Sequence, residues 1–275
     1  MTAGRGRRCR GWWKVERVMS LWARKADTES HSWRCARNAR RRIPDALRSD
    51  QLVERLAIAI ERGRRDELSQ EERSRIADIE KARHDVYADT TVVPDRKTDP
   101  NQVGEIAKRA SQSPASAKVL FTLTRAHQPS SGVELGTCVG ISSAYQGMAL
   151  ALEGNGTLVS LERYATLGEV ARRQLANLGL SNVEVVVGSF RKKLPGVLAR
   201  QPVDYAFIDG NHDEQATLDY FNQFLGVAAH GALFVFDDIQ WSDGMTRAWA
   251  QVRNHPRVRW STESDRFGIV VVDAE

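Results

Sequence analysis

Three aspartates and a histidine stand where chemistry is easiest to place. Asp209 follows the apolar run 203–208, Asp237 and Asp238 follow 232–236, and His212 comes three residues after Asp209. Carboxylate oxygens gathered this way suit a hard divalent cation, Mg²⁺, Mn²⁺ or Ca²⁺. They repel one another unless a cation or a shared proton relieves them. Imidazole is the side chain that ionises nearest neutral pH in water, so His212 is the candidate general base. The bland alternative is that some of these acids cap helices, Asp238 ahead of residues 243–253 among them, and that His212 merely packs.

A second group surrounds a glycine turn. Glu134-Leu135-Gly136-Thr137-Cys138-Val139-Gly140 follows an earlier apolar run. Its glycines allow a tight turn and close approach of backbone to a ligand, with free N–H groups at the helix that follows. Cys138 stands where a dinucleotide fingerprint needs its second glycine, which counts against a nicotinamide dehydrogenase. Glu162, which ends the next apolar run, could accept hydrogen bonds from both ribose hydroxyls of a nucleoside. Gly188-Ser189-Phe190 follows a third run, and its hydroxyl and ring could bracket a purine.

The elements that must carry these groups alternate. Short apolar strands are expected at 132–135, 157–161, 183–187, 203–208 and 232–236, with helices at 141–152, 165–178, 191–200, 213–228 and 243–253. Short β-rich runs enclosed by helices predict a mostly parallel sheet covered on both faces, with ligands at the carboxyl ends of the strands. Residues 258–262 and 267–272 are close enough for a closing antiparallel hairpin. Asp99-Pro100 and Ser113-Pro114 each read as a helix start, for helices 101–111 and 114–126. Ahead of them, 45–87 reads as a polar helical hairpin interrupted at Gly63, with a capping box at Ser69 to Glu72, and 88–100 reads as a linker.

Composition bounds the function classes. The chain has 275 residues, 41% hydrophobic and 27% charged, which predicts folded domains. Its longest apolar runs reach five residues, far short of the roughly 20 of a spanning helix, so no integral membrane segment is expected. Cys9, Cys35 and Cys138 are too few and too scattered for a disulfide framework, which points to a reducing, cytoplasmic setting. The net charge of +5 is uneven. Residues 1–42 hold 13 Lys and Arg against three acids, a net +10, and the remaining 27 basic and 32 acidic residues leave the body at −5. The front segment also holds Trp12, Trp13, Trp22 and Trp33. It reads first as a poorly ordered tail, or as residues ahead of a true start at Met19. Contact with nucleic acid or an anionic membrane, or organellar targeting, are the functional alternatives. No apolar core follows the arginines, so no secretory signal is expected.

The ordered pieces "VELGTCVGIS", "LVSLE", "VVVGS", "FIDGNH" and "FVFDDIQWSDGMTRAW" resemble class I S-adenosylmethionine-dependent methyltransferases over residues 101–275. The nearest likeness is to the O-methyltransferase group that includes catechol O-methyltransferase. The resemblance implies a Rossmann-like, doubly wound α/β fold with a seven-stranded sheet, and transfer of a methyl group to a small-molecule hydroxyl. It implies that Glu134, Gly136 and Gly140 line the methionine part of S-adenosylmethionine, that Thr137, Ser142 and Asp209 also belong to the cofactor site, and that Asp209 is catalytic with His212. Glu162 would hold the ribose, and Gly188 and Ser189 the adenine. Asp209, Asp237 and Asp238 would fall at the metal position, Mg²⁺ or another divalent cation, and His212 where metal-dependent members place a lysine base. Asp238 replaces the asparagine usual there. An RNA or protein methyltransferase using the basic tail is the first rival, disfavoured because the Asn/Asp-Pro-Pro-aromatic tetrapeptide and a Pro-Cys nucleophile are missing. A non-catalytic cofactor-binding scaffold is the second. Acceptor specificity is expected from the helices before residue 131 and the loop 240–245, where Trp241 would wall an aromatic acceptor or pack. Monomer and homo-oligomer are both compatible with the sequence.

Overall fold

The structure, a computed structural model, describes residues 50–274. The basic, tryptophan-rich front segment lies outside the described residues, as do Cys9, Cys35 and the alternative start at Met19. Seven strands form one sheet: β1 (Ser131–Leu135), β2 (Thr157–Glu162), β3 (Val183–Val187), β4 (Val203–Ile208), β5 (Ala228–Phe236), β6 (Val258–Ser264) and β7 (Phe267–Val272). Their order is β3-β2-β1-β4-β5-β7-β6. The first five run parallel, and β7 enters antiparallel between β5 and β6. The strand order reverses at β1, whose neighbours are β2 and β4. A crevice opens beyond the carboxyl ends of strands at such a point.

Nine helices are described: α1 (Gln51–Arg64), α2 (Gln70–Tyr87), α3 (Val103–Ala110), α4 (Pro114–His127), α5 (Ile141–Glu153), α6 (Ala165–Asn177), α7 (Phe190–Leu198), α8 (Glu214–Leu225) and α9 (Asp243–Arg253). Apolar strands buried on both sides need cover on both faces. One core cluster gathers Ile79, Val103, Phe121, Tyr145 and Leu175 from α2 to α6. The other gathers Leu194, Phe221, Phe224 and Trp249 against Phe234 and Val270.

The helices ahead of the sheet differ from the sequence reading in three ways. Gly63 does not interrupt α1; it is buried inside it, because a Cβ there would lie 2.7 Å from the Val119 backbone of α4. The close approach is completed by Thr122, whose hydroxyl donates to the Ala59 carbonyl at 2.8 Å. Second, α1 packs chiefly on α4, whereas α2 packs on α3 and α5, so each helix finds its apolar partner elsewhere than in the other. Third, Asp99-Pro100 starts no helix: α3 begins at Val103 with Gln102 as N-cap and no side-chain cap. Residues 91–103 instead fold back on themselves, with Val93 N–H donating to Asn101 and Val103 N–H to Thr91. The other starts hold. Ser69 and Glu72 close a reciprocal capping box, and Ser113 caps α4 with Pro114 in the first turn. No described helix is long and apolar enough to cross a membrane.

Candidate active site at the carboxyl edge of the sheet

Backbone hydrogen bonds carry the sheet past the end of each strand and so fix the site. Gly136 N–H donates to Leu161 at 3.0 Å, Asp209 N–H to Leu135 at 2.9 Å and Asp237 N–H to Ile208 at 3.0 Å. The glycine turn, Asp209 and Asp237 are thereby set side by side beyond β1, β4 and β5. Gly136 has φ +109°, and a Cβ there would stand 2.0 Å from the Asp209 carbonyl oxygen. Only glycine fits.

Not every residue of the turn faces outward. Glu134 is fully buried and accepts from Ser142 at 2.7 Å, Gln146 at 2.8 Å and Ser160 at 2.5 Å, with Ser143 also donating. Burial pushes its carboxyl up, and these four donors pull it back. Thr137 is buried too, hydrogen bonded to Ser160. Glu134, Thr137 and Ser142 therefore tie β1, β2 and α5 together instead of offering their side chains to a ligand. What the turn can present is backbone at Gly136 and Cys138. Cys138 has its thiol pushed up to about 12, by burial first and then by Glu162, so it is no thiolate nucleophile.

Glu162 closes this half of the site. Its two oxygens accept one N–H each, from Cys138 at 2.8 Å and Tyr164 at 2.8 Å. An ionised carboxylate offers about four acceptor positions, so two remain for a diol. Gly188 N–H donates to the Glu162 carbonyl at 2.7 Å, which brings Gly188 and Ser189 to the same edge. Ser189 is the N-cap of α7, and its hydroxyl makes no cap hydrogen bond. Gly140, with φ +89°, is buried against Ala171 of α6 and serves the packing of the turn. These features fit an adenosyl ligand.

The other half holds the acids. Gln112, between α3 and α4, is buried, and its amide nitrogen donates to Asp209 Oδ2 at 2.9 Å and to Asp237 Oδ2 at 2.5 Å. Arg83 of α2 holds the Gln112 carbonyl at 2.7 Å, and Arg83 is itself held by Glu80, which accepts from the Tyr145 hydroxyl. Arg266, in the two-residue turn between β6 and β7, lies with Nε 2.6 Å from Asp237 Oδ1 and an Nη 2.5 Å from Asp238 Oδ1. The first contact is a close ion pair whose N–H is not aligned as a hydrogen bond. His212 Nε2 lies 3.5 Å from Asp209 Oδ1 and 3.9 Å from Asp238 Oδ2. Trp241 stands beside the imidazole, ring centres 6.3 Å apart, and is 71% exposed.

The expected acids and histidine are therefore brought together, but not as a cation cage. Among the described residues, no group of three or more His, Cys, Asp or Glu is disposed to hold a metal ion. All six oxygens of Asp209, Asp237 and Asp238 face nitrogen instead, so the expected divalent ion does not fit this arrangement. Gln112 and Arg266 were not found by sequence reasoning. Gln112 sits in a polar break and Arg266 in a turn, positions that read as plain surface.

Asp209 is held well above the usual carboxylate range, by burial first and then by Asp237. A raised carboxyl favours the folded state most when protonated. That contribution is complete below the unfolded value, near 3.8, and is lost as pH rises through the folded value. Asp209→Asn keeps the shape and removes the repulsion. We expect its unfolding free energy to match the wild type below pH 4 and to exceed it at pH 7–8, by ~1–3 kcal/mol, while activity falls. Urea melts at a series of pH values check this; a variant less stable at pH 8 would overturn it.

Comparison with known proteins agrees with this geometry. A family model described as a methyltransferase domain matches residues 133–239. A catechol O-methyltransferase of Mycobacterium tuberculosis is 32% identical over 163 residues, covering 56% of this chain and 70% of the relative. A catechol O-methyltransferase of Niastella koreensis is 33% identical over 132 residues, covering 47% of this chain and 58% of the relative. Among solved structures, the O-methyltransferase TomG of Streptomyces achromogenes in complex with S-adenosylmethionine superposes with a TM-score of 0.52 at 25% identity, covering 60% of this chain and 82% of that one. The chain belongs to the class I S-adenosylmethionine-dependent methyltransferases, in the O-methyltransferase group that contains the catechol O-methyltransferases.

Proposed function

We propose that this enzyme methylates a hydroxyl of a small aromatic molecule, with a catechol as the first acceptor to try. The observation that carries the reading is the meeting of two half-sites at the β1–β4 crevice. One is a glycine turn with Glu162, the other the pair His212 and Asp209 beside the exposed ring of Trp241. S-adenosylmethionine, when bound, supplies a sulfonium methyl group that is already activated. The chain's work is then alignment and proton removal. Well-oriented reactants can gain about 7–11 kcal/mol over free collision. Glu162 would hold the ribose through its two remaining acceptor positions, Gly136 and Cys138 would offer backbone, and Ser189 would reach the adenine. Trp241 would wall the aromatic acceptor and present its hydroxyl to His212. His212 would take the proton at Nε2, which lies 3.5 Å from Asp209 Oδ1 and 3.9 Å from Asp238 Oδ2. No step is assigned to a divalent ion, because Arg266 and Gln112 face the oxygens that would bind it.

Calorimetric titration of the purified chain with S-adenosylmethionine in EDTA should give micromolar binding, and labelled methyl should then pass to catechol. No heat in EDTA or in Mg²⁺ would mean that the glycine turn and Glu162 have been misread. Cofactor binding without transfer to any aromatic hydroxyl would remove the acceptor class and keep the family.

A further inference from the structure

The acid cluster contains its own cation. Asp237 is fully buried, and such a charge is costly unless it is paired. Its pairing comes from Arg266, whose guanidinium spans Asp237 and Asp238 at 2.6 and 2.5 Å. The span is built in. Arg266 sits in the tight turn joining β6 to β7, where Ser264 pairs with Phe267 and Asp265 takes a left-handed conformation. The Arg266 carbonyl accepts from Ile239 N–H at 3.3 Å, so the turn is tied to the loop that follows Asp238. On the far side, the Gln112 amide donates to Asp237 and Asp209 and completes the ring of nitrogens. A divalent ion needs oxygen lone pairs converging on one point, at about 2.0–2.1 Å for Mg²⁺. Here Gln112 and Arg266 face both oxygens of Asp237 and one oxygen each of Asp209 and Asp238, and an added cation would meet a fixed positive charge.

We propose that the Arg266 guanidinium is the resident cation of this site, standing in place of a divalent metal, and that methyl transfer by this chain needs no added metal. The proposal rests on the methyl-transfer reading above. Arg266 acts through Asp237 and Asp238 and is a positioning residue. It holds both carboxylates in place, so that proton removal from the acceptor falls to His212 alone.

The test uses Mn²⁺ alone as a probe, followed by its paramagnetic resonance spectrum, on the full chain. Wild type should leave the free-ion spectrum undiminished up to millimolar protein. Arg266→Ala, which frees one oxygen each of Asp237 and Asp238 and removes the positive charge between them, should bind the ion. Its methyl transfer in EDTA should fall roughly 10²-fold and return with Mg²⁺, whereas Arg266→Lys should stay metal-independent. Micromolar Mn²⁺ binding by wild type, or loss of wild-type transfer in EDTA with S-adenosylmethionine still bound, would overturn the proposal. If Arg266→Ala does not fold, the wild-type spectrum and the lysine variant decide. Failure of the function reading is distinct, since it shows as absence of cofactor heat in EDTA whatever the spectrum gives.

Discussion

Gly136→Ala should abolish S-adenosylmethionine binding and lower the melting temperature by roughly 5–15 °C. Two costs combine. A left-handed conformation costs a non-glycine residue roughly 1–2 kcal/mol, and Gly136 sits at φ +109°. The new Cβ would also stand 2.0 Å from the Asp209 carbonyl oxygen. That oxygen belongs to backbone held by the Asp209–Leu135 hydrogen bond, so it cannot move aside cheaply. Overpacking of this kind typically adds about 1–3 kcal/mol. Relief would require β1 and β4 to separate at the crevice where the cofactor must lie. Gly179→Ala is the control, because Gly179 has φ +71° but nothing within 4 Å of the added Cβ. It should show the conformational cost alone and bind cofactor normally. Thermal melts and calorimetry on both variants check this. Cofactor affinity unchanged in a folded Gly136→Ala protein would remove the turn from the binding site.

The second large effect is expected at His212. His212→Asn should lower kcat by roughly 10²–10⁴-fold, the usual contribution of a positioned general base, and leave cofactor affinity unchanged. Asparagine is the apt replacement because His212 has φ +41°, and asparagine tolerates that region better than most residues. The geometry suits a base: Asp209 and Asp238 flank Nε2 within 4 Å at the edge of the sheet where the acceptor's proton must leave. Retention of kcat would show that the acceptor loses its proton elsewhere, and His212 would then be part of the wall with Trp241.

The sheet and its edge are legible in local sequence. Strands β3, β4 and β7 and helix α9 have the bounds that their apolar runs and caps predict, because a strand buried on both faces is written as a local run of Val, Ile and Phe. The residues at the strand ends follow directly: once 203–208 is a parallel strand, Asp209 must stand at its carboxyl end. A glycine turn is equally local, since it needs only residues without a Cβ. Gly63 shows the limit of such reading, because its role depends on Val119 of α4 and on nothing nearby in the chain.

Side-chain direction depends on packing between distant segments. Glu134 looks like a ligand-facing acid in the motif, but α5 and β2 surround it with Ser142, Ser143, Gln146 and Ser160, so it turns inward. The three aspartates look like a metal set because sequence shows their charge and not what faces it. Gln112 lies 97 residues before Asp209 and 125 before Asp237. Arg266 comes from a turn between the last two strands. No periodicity or spacing links such positions. They meet because the sheet places β7 beside β5, and because α2 holds the Gln112 backbone through Arg83. Local patterns set where the chain turns and which face is buried. Which charge ends beside which is settled when distant segments close on one another.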